Sequence, residues 1–385
     1  MKTIGLSVYP DFDDIETMKK TLNQAKDLGY KIVFTSLQLD DLGFENTHAG
    51  LDESFMFLLE YCHQLGLEIH ADINDRILKS LGASPQCLEP IDQLHIPVLR
   101  LDDGFTDEEV ALMTKNDYGI SIEENASMLA FPKKRIETVI KEGNINQYCA
   151  CHNFFPLNET GLSYQDVHHA TQLFKSYGMK VGIFIGSMYS SNDLNSVGHG
   201  IVTIEEHRYL PSHVQAMELF ACQDYDYVIF GDSHPSIEEL VRVSEVAHND
   251  SKEFISQKYT LTQEWLGDYC VELPVWLDAK LDWQLKKKLT SMVLIARADQ
   301  SQLLLRAEQS RGLQRLEPYH PMKRHAYSIT IHNYLSHRYM GELQIPLEDL
   351  PAVDNINVIG RVKPYAEHLV ELLKYGKVAF VLKEE

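Results

Sequence analysis

Eight short apolar runs punctuate the first 235 residues: Ile4–Tyr9, Ile32–Leu37, Leu67–Ile73, Val98–Leu101, Ile120–Ile122, Ile145–Cys151, Val181–Ile185 and Tyr225–Phe230. Between them lie stretches whose apolar residues recur at helical spacing. Asp13 or Asp14 can cap a helix running to Leu28, with Gly29 just past its end. Leu51–Leu65 stops at Gly66, Asp107 can cap Glu108–Lys115, and Pro132 suits the first turn of Lys133–Glu142. Ser163–Tyr177 ends at Gly178, and Thr203 can cap Ile204–Cys222 with Glu206 completing a capping box. Ser236–Ala247 repeats that device with Glu239. Eight strand-then-helix units predict an α/β fold, a (β/α)₈ TIM barrel. Its chemistry is expected at the C-terminal ends of the strands.

The pattern changes near residue 250, where His248-Asn-Asp-Ser-Lys reads as a linker. Short β-rich runs follow: Tyr259–Leu261, Val271–Leu273, Met292–Ala296, Tyr327–His332, Gly341–Ile345, Ile356–Val362 and Val378–Leu382. One helix, Tyr365–Tyr375, precedes the last of them. Turn residues and β-branched content predict a small, mainly antiparallel β-barrel or sandwich. The expected domains are 1–250 and 255–385.

Composition narrows the partners. A length of 385 residues suits a barrel of about 250 residues plus a smaller domain. The formal net charge of −21 argues against nucleic acid or an anionic membrane as partner. It leaves room for an anionic small molecule held by a few local Arg, Lys or backbone N–H groups. No run approaches the about 18 apolar residues of a membrane span. MKTIGLSVYP reads as a first strand rather than a signal peptide, so a cytoplasmic protein is expected. The six cysteines then read as reduced, with Cys149 and Cys151 on one face of the sixth strand.

The strand ends carry the candidate chemistry. Strand four ends Arg100-Leu-Asp102-Asp103, and strand five runs into Glu123-Glu124-Asn125. Adjacent strands lie about 4.8 Å apart, so Asp102 and Glu123 are expected to approach over the barrel mouth. Two such carboxylates suit glycoside hydrolysis, one giving a proton to the leaving oxygen and the other acting as nucleophile, base or stabiliser. Alternation turns Asp103 and Glu124 toward solvent or loops. His152 and Asn153 end strand six and can bind sugar hydroxyls or an acetamido carbonyl. His207 and Arg208 fall in the first turn of the expected seventh helix and suit a phosphate or carboxylate. Asp72 and Asp232 close strands three and eight. In the second domain, Arg306, Arg311, His332, Asn333 and Arg361 offer a polar face for an anion.

Two other readings stay open. Asp72, Asp102, Glu123, Asp232 and His152 could hold Mg²⁺ or Mn²⁺ for phosphosugar isomerase or aldolase chemistry. A noncatalytic sugar-binding protein is the other. No P-loop, zincin or nucleophile-elbow motif is present, and Gly198-His-Gly200 is only a weak phosphate-loop signal.

Several segments together resemble one family. They are Leu99-Arg-Leu-Asp-Asp-Gly-Phe105, Ile122-Glu-Glu-Asn-Ala-Ser127, Cys151-His-Asn-Phe-Phe-Pro156 with Thr160-Gly-Leu-Ser163, and Glu206-His-Arg-Tyr-Leu-Pro211 with Val214-Gln-Ala216. His332-Asn333 and Gly341-Glu-Leu-Gln-Ile345 extend the set toward the C-terminus. In this order they resemble the MupG-type 6-phospho-N-acetylmuramidases over nearly the whole chain. The resemblance implies a TIM barrel joined to a cyclophilin-like β-barrel. It implies cytoplasmic hydrolysis of MurNAc 6-phosphate–GlcNAc during cell-wall recycling, with no cofactor and no metal. It makes Asp102 and Glu123 the catalytic candidates. Arg100, Asn125, His152, Asn153, His207, Arg208, Asp72, Asp232, His332 and Asn333 become candidate contacts to a phosphorylated amino-sugar disaccharide.

Overall fold

In a computed structural model of the chain, the described residues are 1–37, 51–127, 132–189, 200–261, 268–299, 301–319, 321–375 and 378–385. Gly198 and His199 of the weak phosphate-loop signal lie outside them. By internal contacts the chain divides into two compact units. One is Lys2–Gln215 with Gln223–Ser244; the other is Glu245–Glu385 with Ala216–Cys222 and Met1.

The first unit is a closed parallel barrel of eight strands in sequence order. They are β1 (Thr3–Ser7), β2 (Ile32–Ser36), β3 (Glu68–Ile73), β4 (Val98–Leu101), β5 (Ser121–Asn125), β6 (Tyr148–Cys151), β7 (Val181–Ile185) and β8 (Tyr227–Phe230). Each expected apolar run overlaps one strand, and helices follow as expected for a TIM barrel. Caps explain several helix starts. Asp14, not Asp13, accepts the Thr17 amide at 2.7 Å, while Asp13 pairs with His234 at 2.8 Å. Thr106, rather than Asp107, caps Asp107–Met113 through a reciprocal box with Glu109. Ser236 and Glu239 exchange the bonds of the expected second box. The expected Ile204–Cys222 helix is interrupted. A 3₁₀ turn spans Glu205–His207, and the α-helix covers only Ser212–Cys222, restarting after Pro211. Proline lacks the N–H that a continuous helix needs at that point.

The barrel interior has two chemically different sides. Tyr9, Ile32, Phe34, Cys151, Phe184, Tyr227 and Ile229 pack together as an apolar cluster, with Phe12 and Phe154 against it. The rings of Phe154 and Phe184 meet Phe34 edge-on at 5.7 and 5.1 Å. Opposite them, β3 to β5 contribute the charged side chains of His70, Asp72, Arg100 and Glu123. Charge placed inside a barrel is costly unless paired, so this half marks where function constrains the core.

The second unit holds a seven-stranded mixed sheet in the order β10-β15-β9-β14-β12-β13-β11. The strands are β9 (Cys270–Leu277), β10 (Leu294–Ile295), β11 (Leu304–Ala307), β12 (Ser328–His332), β13 (Leu343–Pro346), β14 (Ile356–Val362) and β15 (Ala379–Glu384). All pairs are antiparallel except β9 with β15. Tyr259–Leu261 forms no strand; Thr260 makes only an isolated bridge to Met292. β11 and the helices Lys252–Lys258 and Trp283–Thr290 are elements that the apolar pattern did not mark. The helix before β15 is shorter than expected, His368–Tyr375 after a 3₁₀ turn at Pro364–Ala366.

Candidate active site

Register decides which side chains reach the mouth. Ser36, Asp72, Arg100 and Glu123 are consecutive partners across β2, β3, β4 and β5. Strands of an eight-stranded barrel are tilted and staggered, so a path of in-register partners runs obliquely down the wall. Side-chain exposure falls along it, from 14% at Asp72 to 2% at Arg100 and 0% at Glu123. Asp72 is at the floor of the mouth, and Glu123 is deep in the core.

Arg100 links the two levels. Its Nη1 donates to Asp72 Oδ1 at 2.9 Å and its Nη2 to Asn153 Oδ1 at 2.9 Å. Its Nε stands 3.8 Å from Glu123 Oε1, and neither atom has a hydrogen-bond partner. Below, His70 Nδ1 lies 2.8 Å from Glu123 Oε2, and His70 Nε2 lies 3.0 Å from Glu68 Oε1. The Tyr227 hydroxyl donates to Glu123 from across the barrel. Burial alone would lower the His70 pKa, but the Glu123 charge and the hydrogen bonds to Glu123 and Glu68 outweigh it and push it up to about 9. Burial would raise the Glu123 pKa, yet His70, then Arg100 and Tyr227, hold it below the ordinary glutamate value. The core thus contains an ionised His70–Glu123 pair beneath a permanent Arg100 cation.

Tyr227 reaches Glu123 because residue 182 is glycine. A Cβ at Gly182 would come within 1.9 Å of the Tyr227 ring. Gly182→Ala is therefore expected to cost about 3 kcal/mol, at the upper end of overpacking penalties, measured by denaturant unfolding.

His152 anchors the β6 end. The Thr171 hydroxyl donates to Val167 O, so it accepts from His152 Nε2 at 2.8 Å. That fixes the proton on Nε2 and leaves Nδ1 to accept from Ser127 Oγ at 3.3 Å. Ser127 Oγ in turn accepts the Asn153 amide at 2.8 Å. Burial, reinforced by the Arg100 charge, lowers the His152 pKa to about 3, which keeps the ring neutral. Asn125 Oδ1 accepts the Ser127 amide at 3.0 Å. Asn153 faces Arg100 with its carbonyl oxygen, because guanidinium only donates. Its Nδ2 donors therefore point elsewhere.

Buried acids tie down the neighbouring loops. Asp232 Oδ2 accepts Ser187 N at 2.7 Å and Ile201 N at 2.9 Å. Burial raises its pKa to about 6, despite those lowering hydrogen bonds. Glu239 accepts from Ser187 Oγ, Met188 N and Ser212 Oγ at 2.8–2.9 Å. Arg208 is fully enclosed: it pairs with Glu205 through Nε and Nη2 at 2.7 and 2.6 Å, and Nη1 donates to Phe155 O and Gly200 O.

Two family models cover almost the whole chain, the 6-phospho-N-acetylmuramidase N-terminal part over residues 4–245 and its C-terminal part over 271–382. The chain belongs to the 6-phospho-N-acetylmuramidase family. The family is one of glycosidases, and the protein is a glycoside hydrolase on a TIM barrel. Two solved structures share the fold at full length. An uncharacterised B. cereus protein has a TM-score of 0.81 and 24% identity, covering 100% of this chain and 99% of its own. A conserved Enterococcus faecalis protein of unknown function has a TM-score of 0.71 and 24% identity, covering 100% and 96%. No curated protein matches significantly.

For this muramidase-family barrel, the expected site is partly rearranged. Asp72, Arg100, Asn153 and Glu123 form one connected network, with Asn125 and His152 bracing it through Ser127. The expected approach of Asp102 and Glu123 is not what the structure shows. Asp102 is exposed, two residues beyond Arg100, whereas Glu123 is sealed beneath. The reason is that β5 continues to Asn125, so Glu123 is mid-strand and Asn125 is the mouth residue. Glu124 is not solvated either; it is buried against Arg135 at 3.1 Å and Tyr148 OH at 2.7 Å. Arg208 clamps loops instead of facing a ligand, and His207 is buried beside it. Asp232 is likewise engaged by backbone amides. In the second unit, Asn333 is a buried cap that accepts Leu335 N and donates to Asp354 O, and His332 lies 2.6 Å from Ser336 Oγ. His70 and Tyr227 were missed. Glu68-Ile-His70-Ala-Asp72 carried a signal, because polar residues recur there with strand period. Among the described residues, no group of three His, Cys, Asp or Glu could hold a metal ion, and no helix is long and apolar enough to cross a membrane.

Proposed function

We propose that this barrel hydrolyses MurNAc 6-phosphate–GlcNAc to MurNAc 6-phosphate and GlcNAc, in the cytoplasm, during peptidoglycan recycling. Family membership supports the bond type and the phosphorylated muramic sugar. The observation that carries the site assignment is Asp72 at the floor of the mouth, oriented by buried Arg100. In this reading residues 1–250 form the catalytic domain, and 255–385 form the domain that the resemblance describes as cyclophilin-like.

The proposed catalytic carboxylates are Asp72 and Asp102. Asp102, exposed above Arg100, protonates the leaving GlcNAc oxygen as the bond to the muramic anomeric carbon breaks. Asp72, an anion against Arg100, stabilises the positive charge developing at that carbon, either directly or by orienting the attacking 2-acetamido group. Water, giving its proton to Asp102, then attacks the anomeric carbon and displaces the acetamido oxygen or the Asp72 carboxylate from it, which restores both groups and the proton on Asp102. Covalent and acetamido-assisted routes share this division of labour and both retain configuration. Asn153, with its oxygen committed to Arg100, offers Nδ2–H donors to the acetamido carbonyl or a sugar hydroxyl. Glu123 and His70 act underneath, holding Arg100.

The test is a substrate comparison. Purified protein with MurNAc 6-phosphate–GlcNAc is expected to release GlcNAc, and unphosphorylated MurNAc–GlcNAc is expected to react at least about tenfold more slowly, as for a lost charged contact. EDTA is expected to leave the rate unchanged. Absence of cleavage of the phosphorylated disaccharide would overturn the proposal, and abolition by EDTA with recovery on Mg²⁺ or Mn²⁺ would favour metal-assisted phosphosugar chemistry.

A further inference from the structure

We propose that the second unit carries its own oxyanion site, built from Arg306, Arg311 and Arg338 around Tyr339 and suited to a phosphate monoester. This goes beyond the reading of the barrel and does not depend on it.

The site begins with a buried carboxylate. Glu342 is 1% exposed, immediately before β13. Arg306 donates to both its oxygens, Nε at 2.7 Å and Nη2 at 3.2 Å, and Arg311 Nη2 pairs with it as well. Gln344 adds an amide donor at 3.1 Å. Burial would raise the Glu342 pKa, but the two arginines overcome it and bring it down to about 2, so this carboxylate stays charged. The backbone is shaped for the arrangement. Gly341 has φ 88°, and a Cβ there would come within 2.6 Å of Ser310 O. That close approach is fixed by Ser310 Oγ donating to Gly341 O at 2.6 Å, and it brings Arg311 beside Glu342.

The Arg306 and Arg311 guanidinium groups are held by Glu342 and partly exposed, while the exposed Arg338 donates through Nη2 to the Tyr339 hydroxyl at 2.6 Å. Arg306 and Arg311 are 23% and 26% exposed. Arg311 and Arg338 both lie over the Tyr339 ring, at 4.9 and 4.7 Å from its centre. Arg311 Nε is buried with no hydrogen-bond partner, and Arg306 Nη1 comes no closer than 4.0 Å to Asp299. The remaining counter-charges are peripheral: Glu308, which pairs with Arg311 and Arg297, is 38% exposed, and Asp299 is 62% exposed. An arriving dianion can displace these outer carboxylates, while Glu342 keeps the arginines in place. Fork-shaped guanidinium donors anchored on a carboxylate and stacked on an aromatic ring suit phosphate geometry.

The probe is inorganic phosphate, titrated calorimetrically into the full chain. Wild type is expected to bind it, and Arg311→Gln and Arg338→Gln are each expected to weaken binding about tenfold or more. Arg338 does not touch Glu342, so that variant tests the site even if Arg311→Gln disturbs folding. Glu308→Gln is expected to tighten binding, because it removes a competing outer charge while leaving Glu342 to hold the arginines. A rise in KM for the phosphorylated disaccharide in Arg338→Gln would identify the substrate phosphate as the ligand. An unchanged KM with lost phosphate binding would identify a separate phosphorylated effector. No phosphate binding by wild type, or equal binding by all variants, would overturn the site and leave the cluster as a structural ion-pair network.

Discussion

Replacing His70 with alanine is expected to remove about 3–5 kcal/mol of stability from the barrel, the usual consequence of leaving a buried charge without its partner. Glu123 is fully buried, and among the described residues His70 is its only full opposite charge within hydrogen-bonding distance; Arg100 Nε stands off at 3.8 Å. The same pair predicts a pH dependence. His70 has a folded pKa of about 9 against an ordinary 6.5, so its stabilising contribution is complete below about 6.5 and disappears as pH rises through about 9. Wild type is therefore expected to lose barrel stability across that window, and His70→Ala is expected to lack that slope. Urea unfolding at the two ends of the window measures both. A flat wild-type profile would mean that the imidazole is neutral and the pair is not ionic.

The second large effect concerns Asp72. Asp72→Asn keeps an oxygen that can accept from Arg100 but removes the negative charge facing the mouth. Its kcat is expected to fall about 10²–10⁴-fold, with stability lowered less than in Glu123→Gln, because Arg100 loses its nearest counter-charge but keeps an isosteric acceptor and Glu123. Asp102→Asn is expected to lower kcat comparably, since it removes the proposed proton donor. Glu123→Gln should behave differently, lowering stability and activity together by leaving His70 and Arg100 without their shared carboxylate. Steady-state kinetics beside unfolding curves separates the cases. If Glu123→Gln abolished turnover at full stability while Asp72→Asn remained active, the catalytic roles would have to be exchanged.

The barrel was legible because each strand carries its own local signal, a short apolar run followed by a helix with a recognisable cap. Local signals also failed in identifiable ways. Pro211 ended a helix that the apolar spacing alone would have continued. In β5, the charged pair Glu123-Glu124 concealed the last three strand residues, Glu123 to Asn125, because a strand with ionic partners on both faces does not look apolar. That error moved Glu123 from the interior to the mouth. Barrel stagger compounded it: residues at similar sequence distances from strand ends lie at different depths, and no single strand encodes its neighbour's register. Asp72, Arg100 and Asn153 were recognisable as candidates from their strand-end positions, but their mutual contacts follow from barrel closure. Tyr227 gave no local signal at all, since its role depends on Gly182 and Glu123 on other strands. Arg208 misled because a cation near an expected helix start suggests an anion site, whereas Glu205 and two loop carbonyls already occupy it.

The central claim is hydrolysis of one glycosidic bond by this barrel, and product isotope analysis tests it most directly. MurNAc 6-phosphate–GlcNAc would be incubated with the protein in heavy-oxygen water and the products weighed by mass spectrometry. The predicted result is one heavy oxygen in MurNAc 6-phosphate, none in the released GlcNAc, and no products with Asp72→Asn at matched times. An intact disaccharide would contradict the claim, as would label in the GlcNAc fragment or cleavage undiminished in Asp72→Asn.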